Sequence, residues 1–267
     1  MITFGYETVL YAPGANLVEI ALEAQVEAAA MAGFDWVGLD LATARAFLAA
    51  NRTWSDLAGV LEQEGLRCGA IQSLVATEDG LDVALDELAE AVAALAPDVI
   101  VTIARDLSAR SIEALGRAAD HLGSGPQGPR LGVEFAPTIQ VNSIARAREL
   151  IRQAGVDAGV VLDTWHFFNG PDDWGSLERL PLGDIALVHF DDHGPRRGDD
   201  LRFETMHRRV LPGDGTFDLY AFADLLLTKG YRGPVAVEIL SDDLRATLGP
   251  MAFARDALAR SRPYWAL

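Results

Sequence analysis

Four residues able to ligate a metal close four apolar runs of this 267-residue chain: Glu134 in LGVEF, Asp163 in GVVLDTWH, His189 in IALVHFDD and Glu238 in PVAVEIL. Three carboxylates and one imidazole make a hard, oxygen-rich donor set, better suited to a divalent cation than to the thiolates of a structural zinc site. Mn²⁺ is the first expectation for one bound ion, with Mg²⁺, Co²⁺ or Zn²⁺ as alternatives. A carboxylate that binds metal through one oxygen keeps the other for a proton, so Glu134 and Glu238 are also the expected acid/base pair. Any one of the four alone reads as an ordinary strand-end salt bridge or cap. Four at matching positions predict a shared site.

Such residues need a scaffold that brings strand ends together. Short apolar runs alternate with longer amphipathic stretches about eight times, the pattern of βα repeats. The strands are expected near 2–9, 35–41, 67–74, 98–104, 130–136, 158–165, 184–190 and 234–240. Between them, NLVEIALEAQVEAAAMAG, WSDLAGVLEQEG and GLDVALDELAEAVAALA repeat apolar residues at three and four, with glycines expected to end the helices. Eight parallel strands close a barrel, and the catalytic end of such a barrel is the carboxyl end of its strands, where all four candidate ligands fall. A doubly wound sheet would usually carry G-x-G-x-x-G after its first strand, and YAPGANL lacks it. GSGPQGPR at 123–130 reads as turn material rather than a linker, so residues 1–267 are expected to form one (β/α)8 domain.

Composition narrows the function. Half of the residues are hydrophobic, enough for a substantial core. The formal net charge of -17 repels phosphate backbones and anionic lipid, so neither nucleic acid nor a membrane is an expected partner. No apolar stretch reaches the roughly 20 residues needed to span a bilayer, and no cationic leader precedes an apolar segment. A cytoplasmic location follows as an expectation, with a homo-oligomer left open. The single cysteine, Cys68, excludes an internal disulfide and reads as a buried thiol.

These residues resemble the xylose isomerase-like TIM barrels, the sugar phosphate isomerase/epimerase superfamily, along nearly the whole chain and most strongly over 130–240. The resemblance implies that Glu134, Asp163, His189 and Glu238 hold a divalent metal. LDTWH resembles the family's Asp-Thr-aromatic-His run, which implies that His166 faces the substrate oxygens. RVLPGDG resembles the arginine before a Pro-Gly-acidic-Gly turn, which implies that Arg209 reaches the substrate or supports the metal ligands. VHFDDHGP followed by RRVLPGDGTFDL most resembles the branch acting on keto-inositols and free ketoses. The expected activity is therefore metal-dependent isomerisation or epimerisation of a free ketose, keto-inositol or related sugar or polyol through an enediolate. The alternatives are a lyase that expels a β-leaving group, a catalytically silent partner subunit, and an AP endonuclease-like phosphodiesterase, which five histidines and an acidic surface disfavour.

Other conspicuous residues have plainer readings. Asp191, Asp192 and His193 are expected in a solvated loop, with a hydrogen-bond partner for the His189 imidazole as the alternative, and His207 on the long loop before the PGDG turn, at the surface or covering the site. His121 should sit on a helix surface. Trp165, Phe167 and Phe168 could wall a sugar face or pack the core. Asp40 could contact substrate or cap a helix starting near Ala42. Arg196 and Arg197 are the one basic pair noted in the loops, and an uncharged substrate is expected over a phosphorylated one.

Overall fold

The structure, a computed structural model, describes residues 1–12, 18–76, 80–125 and 128–266. Most of YAPGANL, the start of the helical pattern at Asn16 and part of GSGPQGPR lie outside the described residues. The strands are β1 (Thr3–Glu7), β2 (Trp36–Asp40), β3 (Cys68–Val75), β4 (Val99–Ile103), β5 (Arg130–Glu134), β6 (Ala158–Asp163), β7 (Ile185–Phe190), β8 (Asp192–His193), β9 (Arg209–Val210) and β10 (Pro234–Val237). All but β8 and β9 pair in parallel, and β1 bonds both β2 and β10, which closes an eight-stranded barrel. β8 and β9 form a small antiparallel pair outside it. Each expected strand is present.

Several expected strands overshoot, and for 130–136, 158–165 and 234–240 the reason is shared: the chain turns out of the sheet at its polar residue. β6 stops at Asp163, whose carboxylate takes the amide of His166 at 2.8 Å and starts a helix over Thr164–Asn169. A carboxylate at the N-cap satisfies an amide that the helix leaves open. β5 ends at Glu134, and β10 ends one residue before Glu238.

The helices are α1 (Leu22–Ala32), α2 (Leu41–Leu48), α3 (Trp54–Gln63), α4 (Leu81–Leu95), α5 (Ala109–His121), α6 (Ile144–Ala154), α7 (Thr164–Asn169), α8 (Trp174–Arg179), α9 (Leu201–His207), α10 (Leu219–Lys229), α11 (Asp242–Thr247) and α12 (Pro250–Ser261). Thr53 and Asp56 form a capping box on α3. Gly33 ends α1 at a φ of 89°, as the glycine pattern predicts. α4 departs from it, ending at Ala96 with a φ of 44°. Pro97 forces that stop, because the residue before proline is driven out of the helical region.

Two apolar layers hold the barrel. One lies between strands and helices, and a smaller one fills the lumen with Trp36, Val99, Val101, Val161 and Leu187. Trp36 is the lumen's largest plug. A Cβ at Gly5 or Gly69 would lie 2.2 or 2.3 Å from its ring, so both neighbours must be glycine. Truncating a buried tryptophan to alanine costs roughly 3–5 kcal/mol. No helix among the described residues is long and apolar enough to cross a membrane.

Candidate metal centre and active site

The barrel converges Glu134, Asp163, His189 and Glu238 on one point. All four are buried, and their ligand atoms lie within 4.8 Å of one another. Asp163 and His189 are direct partners in the β6–β7 register, while His189 pairs with Ala236 two residues before Glu238. His189 Nδ1 is 2.9 Å from Glu134 Oε1, 3.4 Å from Glu238 Oε2 and 3.9 Å from Asp163 Oδ2. Atoms bound at roughly 2.0–2.4 Å to one cation would span this range.

The electrostatics ask for a cation at that point. Burial works against the charged form of His189, yet Glu238 and Glu134 outweigh it and push the imidazole up to about 10. Burial pushes Glu238 up to about 7, against the pull of His189 and Arg209. Carboxylates this close, in a dry setting, need positive charge to stay ionised. A divalent ion held by Glu134, Asp163, His189 and Glu238 would supply it, so the residues present fit the metal that their donor types imply.

Arg209 is the fixed positive charge beside them. It is buried, and its Nη1 donates to Asp163 at 2.8 Å, to Glu238 at 3.1 Å and to Asp191. Its Nε and Nη2 donate to the carbonyl and hydroxyl of Thr205 on α9 at 3.1 and 2.9 Å. Burial opposes ionisation of Asp163, but Arg209, His166 and His189 hold the carboxyl well below its ordinary range. Asp191, which shares Arg209, is raised by burial and by Asp163. Thr164 locks Asp191 by accepting from its amide at 2.9 Å and donating to its Oδ1 at 2.9 Å.

Above the cluster opens a cavity of about 490 Å³. Glu134, Glu238, His166 and Arg209 line it; Asp163 and His189, wholly buried, do not. Its remaining wall is mixed, with Val9, Ile103 and Ile139 beside Gln72 and Thr138. Burial lowers the pKa of His166, which lines the cavity as a neutral imidazole while its buried Nδ1 has no hydrogen-bond partner.

Several sequence expectations need correction. Asp191, Asp192 and His193 are buried rather than solvated. Asp191 belongs to the Arg209 cluster. Asp192 accepts amides of Gly213, Gly215 and Phe217 at 3.0 to 3.1 Å and so pins the PGDG turn. His193 lies 3.1 Å from Glu204, off the line of a hydrogen bond. The supposed long loop contains α9, capped by Asp200. His207 ends that helix and pairs with Asp242 at 3.1 Å, away from the cavity lining. Trp165 and Phe167 are core residues, and Phe168 stacks on Phe217 with centroids 4.5 Å apart. Asp40 caps α2, taking the Thr43 amide at 2.9 Å and the Thr8 hydroxyl at 2.7 Å. His121 pairs with Asp86 on the surface, and Cys68 is buried, both as expected.

Glu7, the last residue of β1, is a further acid at this end of the barrel that is not among the residues expected from sequence. It is buried with both oxygens unpartnered, and a Cβ at Gly38 would sit 2.0 Å from its carboxylate. Burial pushes it up to about 8, against the pull of His189. The rule that found the other three acids, a carboxylate closing a strand, also finds Glu7 in FGYE. It was hidden by the shortness of that run.

An eight-stranded parallel barrel with a buried carboxylate–histidine cluster at the carboxyl end of its strands defines a class of barrels built around a metal site. The chain belongs, within that class, to the xylose isomerase-like TIM barrel family, whose model matches residues 26–264. It is 34% identical over 125 residues to a 3-dehydroshikimate dehydratase of Pseudomonas putida, covering 46% of this chain and 20% of that protein. It is 33% identical over 117 residues to an inosose isomerase of Halalkalibacterium halodurans, covering 43% and 40%. The chain thus spans well under half the length of these relatives. Among solved structures, the IOLI protein with a bound zinc atom matches with a TM-score of 0.84 at 20% identity over 98% of both chains. An L-ribulose 3-epimerase matches with a TM-score of 0.73 at 19% identity over 99% of this chain and 95% of that one. At these identities the structures speak for the fold.

Proposed function

We propose that this protein is a divalent-metal-dependent isomerase or epimerase of a ketose or cyclic keto-polyol. The observation that carries the reading is a division of labour within the ligand set: Glu134 and Glu238 face the cavity, while Asp163 and His189 are sealed beneath it. Two carboxylates facing one cavity can take a proton next to a carbonyl and return one elsewhere. A cation held by the four residues would polarise that carbonyl and offset the charge of the enediolate. Glu134 and Glu238 act as the proton pair. His166, at the cavity wall, faces the substrate oxygens, and Arg209 holds the carboxylates of Asp163 and Glu238 in place.

A lyase is the second reading, favoured by the likeness to 3-dehydroshikimate dehydratase. There the same proton removal is followed by loss of a β-hydroxyl, which leaves as water after protonation by the second glutamate. A phosphodiesterase needing several metals is disfavoured, because one ligand group of this kind is found among the described residues.

The test loads the protein with Mn²⁺ in deuterated water and follows inosose, D-fructose, 3-dehydroshikimate and D-fructose 6-phosphate by NMR. Deuterium should enter beside the carbonyl of at least one compound, with isomer or dehydrated product naming the branch. Elemental analysis should find about one divalent ion per chain. Absence of exchange in every compound, together with no Mn²⁺-dependent rise in thermal stability, overturns the reading.

A further inference from the structure

The cavity has two positive charges at its wall that no part of the metal cluster uses. Arg105 follows β4 by two residues, and Arg202 stands in the first turn of α9; both line the cavity with Glu134 and Glu238. Both are exposed. Neither guanidinium has a hydrogen bond or ion pair among the described residues. Arg45, Arg148 and Arg260, by contrast, each hold a carboxylate at 2.6 to 2.8 Å, and what sets Arg105 and Arg202 apart from other arginines without a partner is that they line the cavity.

Three acids close in sequence are engaged elsewhere. Asp106 accepts from Ser111 at 2.6 Å and from the Ser108 amide at 3.1 Å. Asp200 caps α9, and Glu204 takes Arg208 at 3.2 Å. The backbone carrying Arg105 is fixed, because its carbonyl accepts the Gln140 amide at 2.9 Å. Arg209, the residue first expected to reach the substrate, is already bound to three carboxylates. Positive charge for a ligand is therefore left to Arg105 and Arg202.

We propose that the substrate is an anion, a keto acid or keto sugar phosphate, whose carboxylate or phosphate is held by Arg105 and Arg202 while its carbonyl end lies at Glu134 and Glu238. Guanidinium groups are the usual partners of such oxyanions. Two arginines at one end and carboxylates at the other also orient the molecule, since the reversed pose sets anion against Glu134 and Glu238. This departs from the expectation of an uncharged substrate and rests on the reading of the site given above.

Calorimetry on the Mn²⁺-loaded protein and on the Arg105→Gln/Arg202→Gln variant, checked for an unchanged unfolding midpoint, tests it without turnover. 3-Dehydroshikimate supplies a carboxylate, D-fructose 6-phosphate a phosphate, and inosose and D-fructose no charge. At least one anion should bind the wild type more tightly than either neutral compound. It should weaken roughly 10- to 100-fold in the variant, the scale of hydrogen bonds to charged groups, and weaken further with salt. Whichever anion responds identifies the group. Equal or tighter binding of the neutral compounds, equal loss for both classes, or no anion binding at all overturns the proposal. Deuterium exchange into neutral ketoses alone would overturn it while leaving the isomerase reading standing.

Discussion

Glu7 on β1 and Asp163 on β6 are buried carboxylates at the same end of the same barrel, yet their protons are held in opposite ways. Asp163 bonds the His166 amide through Oδ1 and Arg209 through Oδ2, and it stays ionised. Glu7 has no partner on either oxygen, and burial pushes it up to about 8. The difference extends to the halves of the barrel that carry them. β5, β6, β7 and β10 bring the ligand set and receive Arg209 from outside the barrel. β1 and β2 end in Glu7 and Asp40, and β3 sets Gln72 beside Asp40, without a buried cation among the described residues. Burial alone does not decide whether an acid is charged; the cation delivered by a distant segment does.

The comparison breaks most sharply through turnover. Glu134→Gln and Glu238→Gln should each lose activity by about 100-fold or more with metal retained, because the amide keeps a ligand oxygen and loses the proton acceptor. Asp163→Ala and His189→Ala should lose metal first and recover partly in excess Mn²⁺. Single-turnover rates beside metal analysis separate the pairs. Gln variants that react like wild type would make both glutamates structural.

Removing the cation should make the two halves alike. Arg209→Ala leaves Asp163, Asp191 and Glu238 without their shared partner, and breaking a buried ion pair costs about 3–5 kcal/mol. Urea unfolding measures it. A loss below 1 kcal/mol would mean that water replaces Arg209.

Glu7 sharpens the comparison through pH. In the unfolded chain it releases its proton near 4.5, whereas in the folded chain it keeps the proton to about 8. Between these values the unfolded state binds fewer protons, so stability falls as pH rises, by at most about 1.4 kcal/mol per pH unit for one group. Metal-free wild type should therefore lose more stability between pH 5 and 8 than Glu7→Gln does. Equal slopes would show that Glu7 is ionised throughout. Outside both halves, His121→Ala should change stability by less than about 0.5 kcal/mol, since its pair with Asp86 is exposed.

The ligand half was the legible one. LGVEF, GVVLD, IALVHF and PVAVE each place a polar residue after a run of buried side chains, and that local pattern survives in one dimension. Asp191 and Asp192 did not read correctly, because DDH looks like any charged loop until Arg209 and the PGDG turn arrive from about twenty residues further on. α9 is too short to show periodicity, with only Asp200 to mark its start. Arg105 and Arg202 come from separate loops and acquire meaning only through the cavity they share.

The ring of Trp36, seated between Gly5 and Gly69, closes the barrel from below. Whatever is consumed and whatever is formed must therefore come and go on the side of the strands' carboxyl ends. Product that lingers there occupies the place of the next molecule, so it should inhibit competitively, and turnover should slow with solvent viscosity once departure is the slowest event.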